Sequence, residues 1–144
     1  MRISDVLRVK GGQVVTVMPD TNVRQLLNVL AEHRIGAVVV SADGTSVDGI
    51  VSERDIVRAL AERGSDVMSQ PVTAIYTADV RTVEPDTQLE DLMRIMTEHR
   101  IRHLPVVVDG GLQGIVSIGD VVKKRIDELE SERSALTNYI SGAR

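Results

Sequence analysis

The sequence has no cysteine, no tryptophan and no phenylalanine, and Tyr76 and Tyr139 are its only aromatic residues. Without cysteine there is no disulfide, no thiol chemistry and no cysteine-ligated zinc. Without more aromatics the chain lacks the platform on which single-stranded nucleic acids stack their bases. A formal net charge of −4 also opposes a broad phosphate-binding surface, so no direct nucleic-acid partner is expected. No apolar run approaches the roughly 20 residues that cross a bilayer. The start, Met1-Arg2-Ile3-Ser4-Asp5, lacks the apolar stretch of a secretory leader, so no membrane partner is expected and a cytoplasmic location fits best. Enzyme signatures are absent as well: no Cys nucleophile, Gly-x-Ser-x-Gly elbow, Walker loop or His-Glu-x-x-His. The expectation is a non-enzyme with no catalytic residues, no metal site and no catalytic cofactor.

What is present is ordinary for a folded domain: 144 residues, 42% hydrophobic and 26% charged. A chain of this length buries roughly two-thirds of its unfolded surface. Its organising feature is an internal repeat. Thr16-Val17-Met18-Pro19-Asp20-Thr21 returns as Thr82-Val83-Glu84-Pro85-Asp86-Thr87, and Glu32-His33-Arg34-Ile35 returns as Glu98-His99-Arg100-Ile101, both at an offset of 66. Gly49-Ile50-Val51-Ser52 returns as Gly114-Ile115-Val116-Ser117 at 65, and Asp55 then matches Asp120. One residue is lost in the intervening turn, where change is tolerated.

Each copy reads as β-α-β-β-α, an α/β (α+β) unit. Val14–Val17 is strand-like; Thr21 is expected to cap a helix whose Val23, Leu26, Leu27 and Leu30 follow helical spacing. In the second copy Thr87 and Glu90 have capping-box spacing, ahead of Leu89, Leu92, Met93 and Met96. Ala37–Val40 and Leu104–Val108 suit buried strands, followed by Asp/Gly-rich turns and the strands Gly49–Ser52 and Leu112–Ser117. A helix closes each copy, from about Glu53 to Arg63 and from about Gly119 onwards. Two such units are expected to pack sheet to sheet about a pseudo-twofold axis, with two clefts at equivalent places between them that are chemically unequal, since the second copy has Arg102-His103-Leu104-Pro105 where the first has Gly36-Ala37-Val38-Val39. The expected division is 1–64, 65–124 and a C-terminal helical extension 125–144.

These residues resemble the CBS-domain family, as a tandem pair from about Ser4 to Val122. The most specific element is Gly-apolar-apolar-Ser-x-x-Asp, present as Gly49-Ile50-Val51-Ser52-Glu53-Arg54-Asp55 and as Gly114-Ile115-Val116-Ser117-Ile118-Gly119-Asp120. Asp5-Val6-Leu7 and Asp66-Val67-Met68 look like the short lead-in helix ahead of each family repeat. The resemblance implies a regulatory module that binds adenosyl ligands, such as AMP, ADP or ATP and in some members NAD or S-adenosylmethionine. It implies that Asp55 and Asp120 receive ribose hydroxyls and that Ser52 and Ser117 lie near phosphate. For adenine it implies Thr16 and Val17 with Ile35, Gly36, Ala37 and Val38, and Thr82 and Val83 with Ile101, Arg102, His103, Leu104 and Pro105.

The residue chemistry is compatible with that. A carboxylate can accept both hydrogen bonds of a cis-diol. An acidic protein needs a local positive field for a phosphate, and Arg54, Arg100, Arg102, His103 and Lys124 are candidates, then Arg34 and Lys123. Gly119 would allow close phosphate approach where the first copy has the charge of Arg54. Ser-x-x-Asp is equally the spacing of a helix cap, and Ser52 and Ser117 can serve both roles. His33 and His99, at matching helix ends, fit a structural role toward free carbonyls; His103 is open between phosphate contact and solvation. Ile126, Leu129, Leu136 and Ile140 have heptad-like spacing broken by Arg133, which suits either packing on the chain's own body or a homodimer. The leading expectation is a stand-alone sensor acting on a downstream protein of unknown identity or on its own oligomer. The alternative is a constitutive dimeric interaction module with vestigial clefts.

Overall fold

The computed structural model describes residues 1–10 and 14–142. In chain order the elements are α1 (Ile3–Lys10), β1 (Thr16–Val17), α2 (Val23–His33), β2 (Ala37–Val40), β3 (Gly49–Ser52) and α3 (Glu53–Arg63). Two 3-10 turns follow at Ser65–Ser69 and Val72–Ala74, then α4 (Leu89–His99), β4 (His103–Val108), β5 (Gly111–Ser117) and α5 (Ile118–Gly142). β2 pairs with β1 in parallel and with β3 antiparallel. β4 and β5 form an antiparallel hairpin. Its turn sets both Asp109 and Gly110 at positive φ, the geometry that Asp-Gly accommodates. In the second copy the counterpart of β1 is reduced to one parallel bridge, Val83 to Val106, so that sheet has two strands rather than three.

Two apolar clusters hold the two copies. Val23, Leu26 and Leu30 of α2 pack on Val38, Val40, Val51 and Ile56. Leu89, Leu92 and Met96 of α4 pack on Leu104, Val106, Val116 and Val121. These are the stripes expected from spacing, each facing the apolar side of its own sheet. α2 and α4 end alike, with Arg34 and Arg100 in the left-handed conformation and Ile35 and Ile101 N–H reaching back to Leu30 and Met96 carbonyls. That is the six-to-one closure of a Schellman end, here without glycine.

The lead-in segments are exchanged. Ile3 and Val6 of α1 belong to the second core, whereas Val67 and Val72 belong to the first. Ile3 N–H donates to Thr87 O as Val72 N–H donates to Thr21 O, and Leu89 N–H donates to Met1 O as Val23 N–H donates to Gln70 O. The structural offset between lead-ins is therefore 69, pairing Ile3 with Val72 and Leu7 with Tyr76. This corrects the match of Asp5-Val6-Leu7 to Asp66-Val67-Met68, which forms a 3-10 turn instead.

Both expected helix caps are also corrected. Asn22, not Thr21, caps α2: its side chain accepts Gln25 N–H at 2.8 Å, and Gln25 Oε1 accepts Asn22 N–H at 3.1 Å. At α4 the cap is Gln88, without a side-chain bond. Thr87 is drawn into the preceding turn, where its hydroxyl accepts Glu84 N–H. The carbonyl of Met1 supplies the partner for Leu89 N–H instead. α5 runs 25 residues without a break at 125, and every residue from Leu129 to Gly142 is exposed. Among the described residues no helix is long and apolar enough to cross a membrane.

Candidate functional site

An open cleft of about 430 Å³ lies between the copies. Its floor comes from Gly36 and Ala37 at the start of β2, Ile50 and Ser52 of β3, and His103 and Leu104 at the start of β4. α3 contributes Glu53, Arg54, Asp55 and Arg58; the end of α4 contributes His99 to Arg102; the segment Thr77–Arg81 closes one side. Of the residues singled out from sequence, the cleft unites Gly36, Ala37, Ser52, Arg54, Asp55, Ile101, Arg102, His103 and Leu104, together with Arg100.

The local fold explains these placements. Ser52 leaves β3 in an extended conformation and starts α3, where its hydroxyl accepts Asp55 N–H and its own N–H donates to Asp55 Oδ2 at 2.8 Å. Ser52 Oγ also donates to Oδ2 at 3.1 Å. The capping box is therefore real, and it aims the carboxylate into the cleft. Both Ser52 donors converge on Oδ2, and among the described residues nothing bonds to Oδ1. That oxygen is the free acceptor.

Arg54, Arg58, Arg81, Arg100 and Arg102 face Glu53, Asp55 and Asp79 around the cleft, an excess of positive charge inside an acidic protein. None of the five arginines makes an ion pair among the described residues. Arg54 and Arg58 sit one turn apart on α3, a like-charge spacing that opposes the helix. His103 is half-buried; burial pushes its imidazole below the usual range and nearby Lys10 adds to this, against Glu53 and Asp120. It is a neutral hydrogen-bonding group near pH 7.

Other predicted positions lie outside this cleft. Val17, Val38 and Ile35 pack in the first core, with Thr16 beside Val39 in the sheet. Val83 is in the second core, its N–H on Pro105 O; Pro105 is buried and Thr82 exposed. Lys124 lies near Asp5, and Arg34 is exposed at the end of α2. Gly119 lines a shallow apolar groove on α5 with Val122 and Ile126. Among the described residues no cluster of His, Asp or Glu could hold a metal.

The two copies are not equivalent at their motif aspartates, an inequality beyond the one already expected from Arg102-His103-Leu104-Pro105 standing where the first copy has Gly36-Ala37-Val38-Val39. Asp120 accepts Ser117 N–H at 2.9 Å, as Asp55 does from Ser52, but its Oδ2 also takes Lys10 Nζ at 2.7 Å. Burial alone would raise this carboxyl; hydrogen bonds from Lys10 and Ser117 outweigh it and hold it below the usual carboxylate range. Sequence reading missed Arg58, Thr77, Asp79, Val80 and Arg81. Arg58 was visible as the i+4 neighbour of Arg54, whereas 77–81 enter only because the lead-in is exchanged.

Comparison with known proteins agrees with this geometry. The family model described as "CBS domain" matches residues 3–62 and 65–127. A mitochondrial CBS domain-containing protein of Arabidopsis thaliana is 37% identical over 148 residues, covering 97% of this chain and 72% of its own length. The crystal structure of a CBS-domain containing protein from Agrobacterium tumefaciens superposes with a TM-score of 0.83 at 45% identity, covering 87% of this chain and 99% of that one. A CBS domain protein from Pyrobaculum aerophilum complexed with AMP gives 0.73 at 32% identity, covering 83% and 89%. The repeat, the paired motifs and these matches together show that the chain belongs to the CBS-domain family, as a tandem pair.

Proposed function

We propose that the chain is a regulatory module that takes an adenosyl ligand with an anionic tail in the cleft at Asp55. The observation that carries this is the Oδ1 of Asp55, without a partner among the described residues, beside five arginines that make no ion pair among those residues. A ribose cis-diol supplies two donors to a carboxylate, and the arginines supply the positive field for phosphate. His103 and the backbone of Gly36 and Ala37 then flank the base. AMP, ADP and ATP fit this charge distribution better than S-adenosylmethionine, whose sulfonium meets like charge; NAD fits if the open side admits its second half. The AMP complex of the Pyrobaculum relative supports the ligand class. The role is binding without turnover, with a cytoplasmic setting and an output to another protein or to a second copy.

Calorimetric titration with AMP, ATP, NAD and S-adenosylmethionine tests the reading. Saturable heat with the adenine nucleotides supports it. No heat at several temperatures together with unchanged melting would sink it. The second reading, a constitutive homodimeric interaction module, is favoured by one observation: Ile126, Leu129, Leu136 and Ile140 of α5 are all exposed. A stable dimer that binds no nucleotide would establish it.

A further inference from the structure

We infer that Lys10 is the built-in occupant of the second motif carboxylate, so that the chain takes one adenosyl ligand, at Asp55, and admits a second only when Lys10 is removed from Asp120. This rests on reading the motif aspartates as ribose acceptors.

Lys10 Nζ sits 2.7 Å from Asp120 Oδ2 and donates to Ile115 O at 2.8 Å. An ammonium has three donors and no acceptor, so on Oδ2 it neutralises the carboxylate and weakens it as an acceptor for a cis-diol, although Oδ1 of Asp120, like that of Asp55, has no partner among the described residues. The contact closes across 110 residues, from the end of α1 to the start of α5. Because α1 is fixed by Ile3 and Val6 in the second core, the ammonium is held at a high effective concentration beside the carboxylate. A free ligand would have to compete with it.

The pseudo-symmetry marks this arrangement as specific to one copy. Ile50 and Ile115 are matching residues. Ile50 O accepts the backbone N–H of Thr77, while Ile115 O accepts the side chain of Lys10. At the lead-in offset of 69, which pairs Leu7 with Tyr76, Lys10 corresponds to Asp79, and Asp79 lines the Asp55 cleft. An acidic residue near the open carboxylate has thus become a basic residue on the closed one. Among the described residues no cation pairs with Asp55, and Asp120 has one.

The test is the stoichiometry of AMP binding to the full chain by calorimetry, for the native sequence and for Lys10→Met and Lys10→Gln, with melting curves to confirm folding. The native chain is expected to bind one AMP, weakened roughly 10- to 150-fold in Asp55→Ala and retained in Asp120→Ala. Both Lys10 variants are expected to bind two, the second lost when Asp120→Ala is added. Two sites in the native chain would overturn the inference. So would one site in both variants, or a weakened single site, since Lys10 would then be a contact of the ligand itself. No AMP uptake by any of the proteins removes the functional reading as well, and is thereby distinguishable from a failure of the Lys10 assignment alone.

Discussion

The ring of Tyr76 lies over Gly49, filling the space a β-carbon on that residue would need, and Thr77 O stands 2.8 Å from the same point. In the other copy the side chain of Leu7 covers Gly114 in the same way, its Cδ2 2.8 Å from the position of a β-carbon. The motif glycines are therefore required by the exchanged lead-ins passing over β3 and β5, not by backbone conformation. Gly49→Ala meets an aromatic ring and a backbone carbonyl and is expected to destabilise by about 1–3 kcal/mol, the range for overpacking. Gly114→Ala meets only the end of a leucine, which can rotate, and should cost less. Urea unfolding of the two variants checks the order; equal losses would mean that the lead-ins yield equally.

Asp55 completes the capping box of α3 from its third position, behind the cap residue Ser52, and in the proposed function receives the ribose. Asp55→Ala removes charge-assisted hydrogen bonds worth about 1.5–3 kcal/mol to the ligand, or roughly 10- to 150-fold in affinity. Loss of the cap lowers stability by about 1 kcal/mol as well. Asp120→Ala should lower stability through its cap and Lys10 pair while leaving AMP affinity at the Asp55 cleft unchanged. Calorimetry and chemical denaturation on both variants separate the roles. Asp55→Ala that binds AMP like the native chain would make this aspartate a cap and nothing more.

Much of this was legible in the sequence because repetition and periodicity are local properties. The offset of 66 located both copies, the apolar spacing of α2 and α4 located both cores, and of the two Gly-Ile-Val-Ser motifs with their Asp the first supplies Ser52 and Asp55 to the cleft while Ser117 and Asp120 lie outside its lining. What the sequence did not convey depends on contacts across the chain. The carbonyls of Gln70 and Met1, delivered from distant segments, meet the first N–H groups of α2 and α4, joining the local Asn22–Gln25 pair at α2 and standing where no side-chain cap forms at α4. Exchange of the lead-ins placed Asp79 and Arg81 in one cleft and Lys10 on Asp120; a residue-by-residue match of the halves contains no sign of that. Loss of a regular strand at Val83 was equally hidden, since Thr82-Val83 repeats Thr16-Val17.

Five arginines around one carboxylate predict how affinity depends on charge. ATP should bind more tightly than ADP, and ADP more tightly than AMP, with the differences shrinking as salt is raised. Arg58→Ala and Arg81→Ala, both exposed, should each weaken ATP by about 1.5- to 5-fold, the range for exposed charge pairs. AMP, with the shorter anionic tail, should lose less. Titrations at two salt concentrations decide it. Equal losses for ATP and AMP would place both arginines away from the terminal phosphates.

The pH dependence follows from His103 and Asp120, both of which feel the charge of Lys10. His103 is held below the usual imidazole value of about 6.5 by burial and by Lys10. Its contribution to stability is fully present above that value and is lost as pH falls from it toward the folded pKa, because the unfolded chain then binds the proton first. Asp120 is held below the ordinary 3.8. Its contribution is present above 3.8 and is lost only as pH falls further, through its folded pKa. Two acid-side steps are expected in urea midpoints measured against pH, the upper removed by His103→Gln and the lower flattened by Lys10→Met. Because Lys10 also depresses His103, Lys10→Met should in addition move the upper step toward pH 6.5.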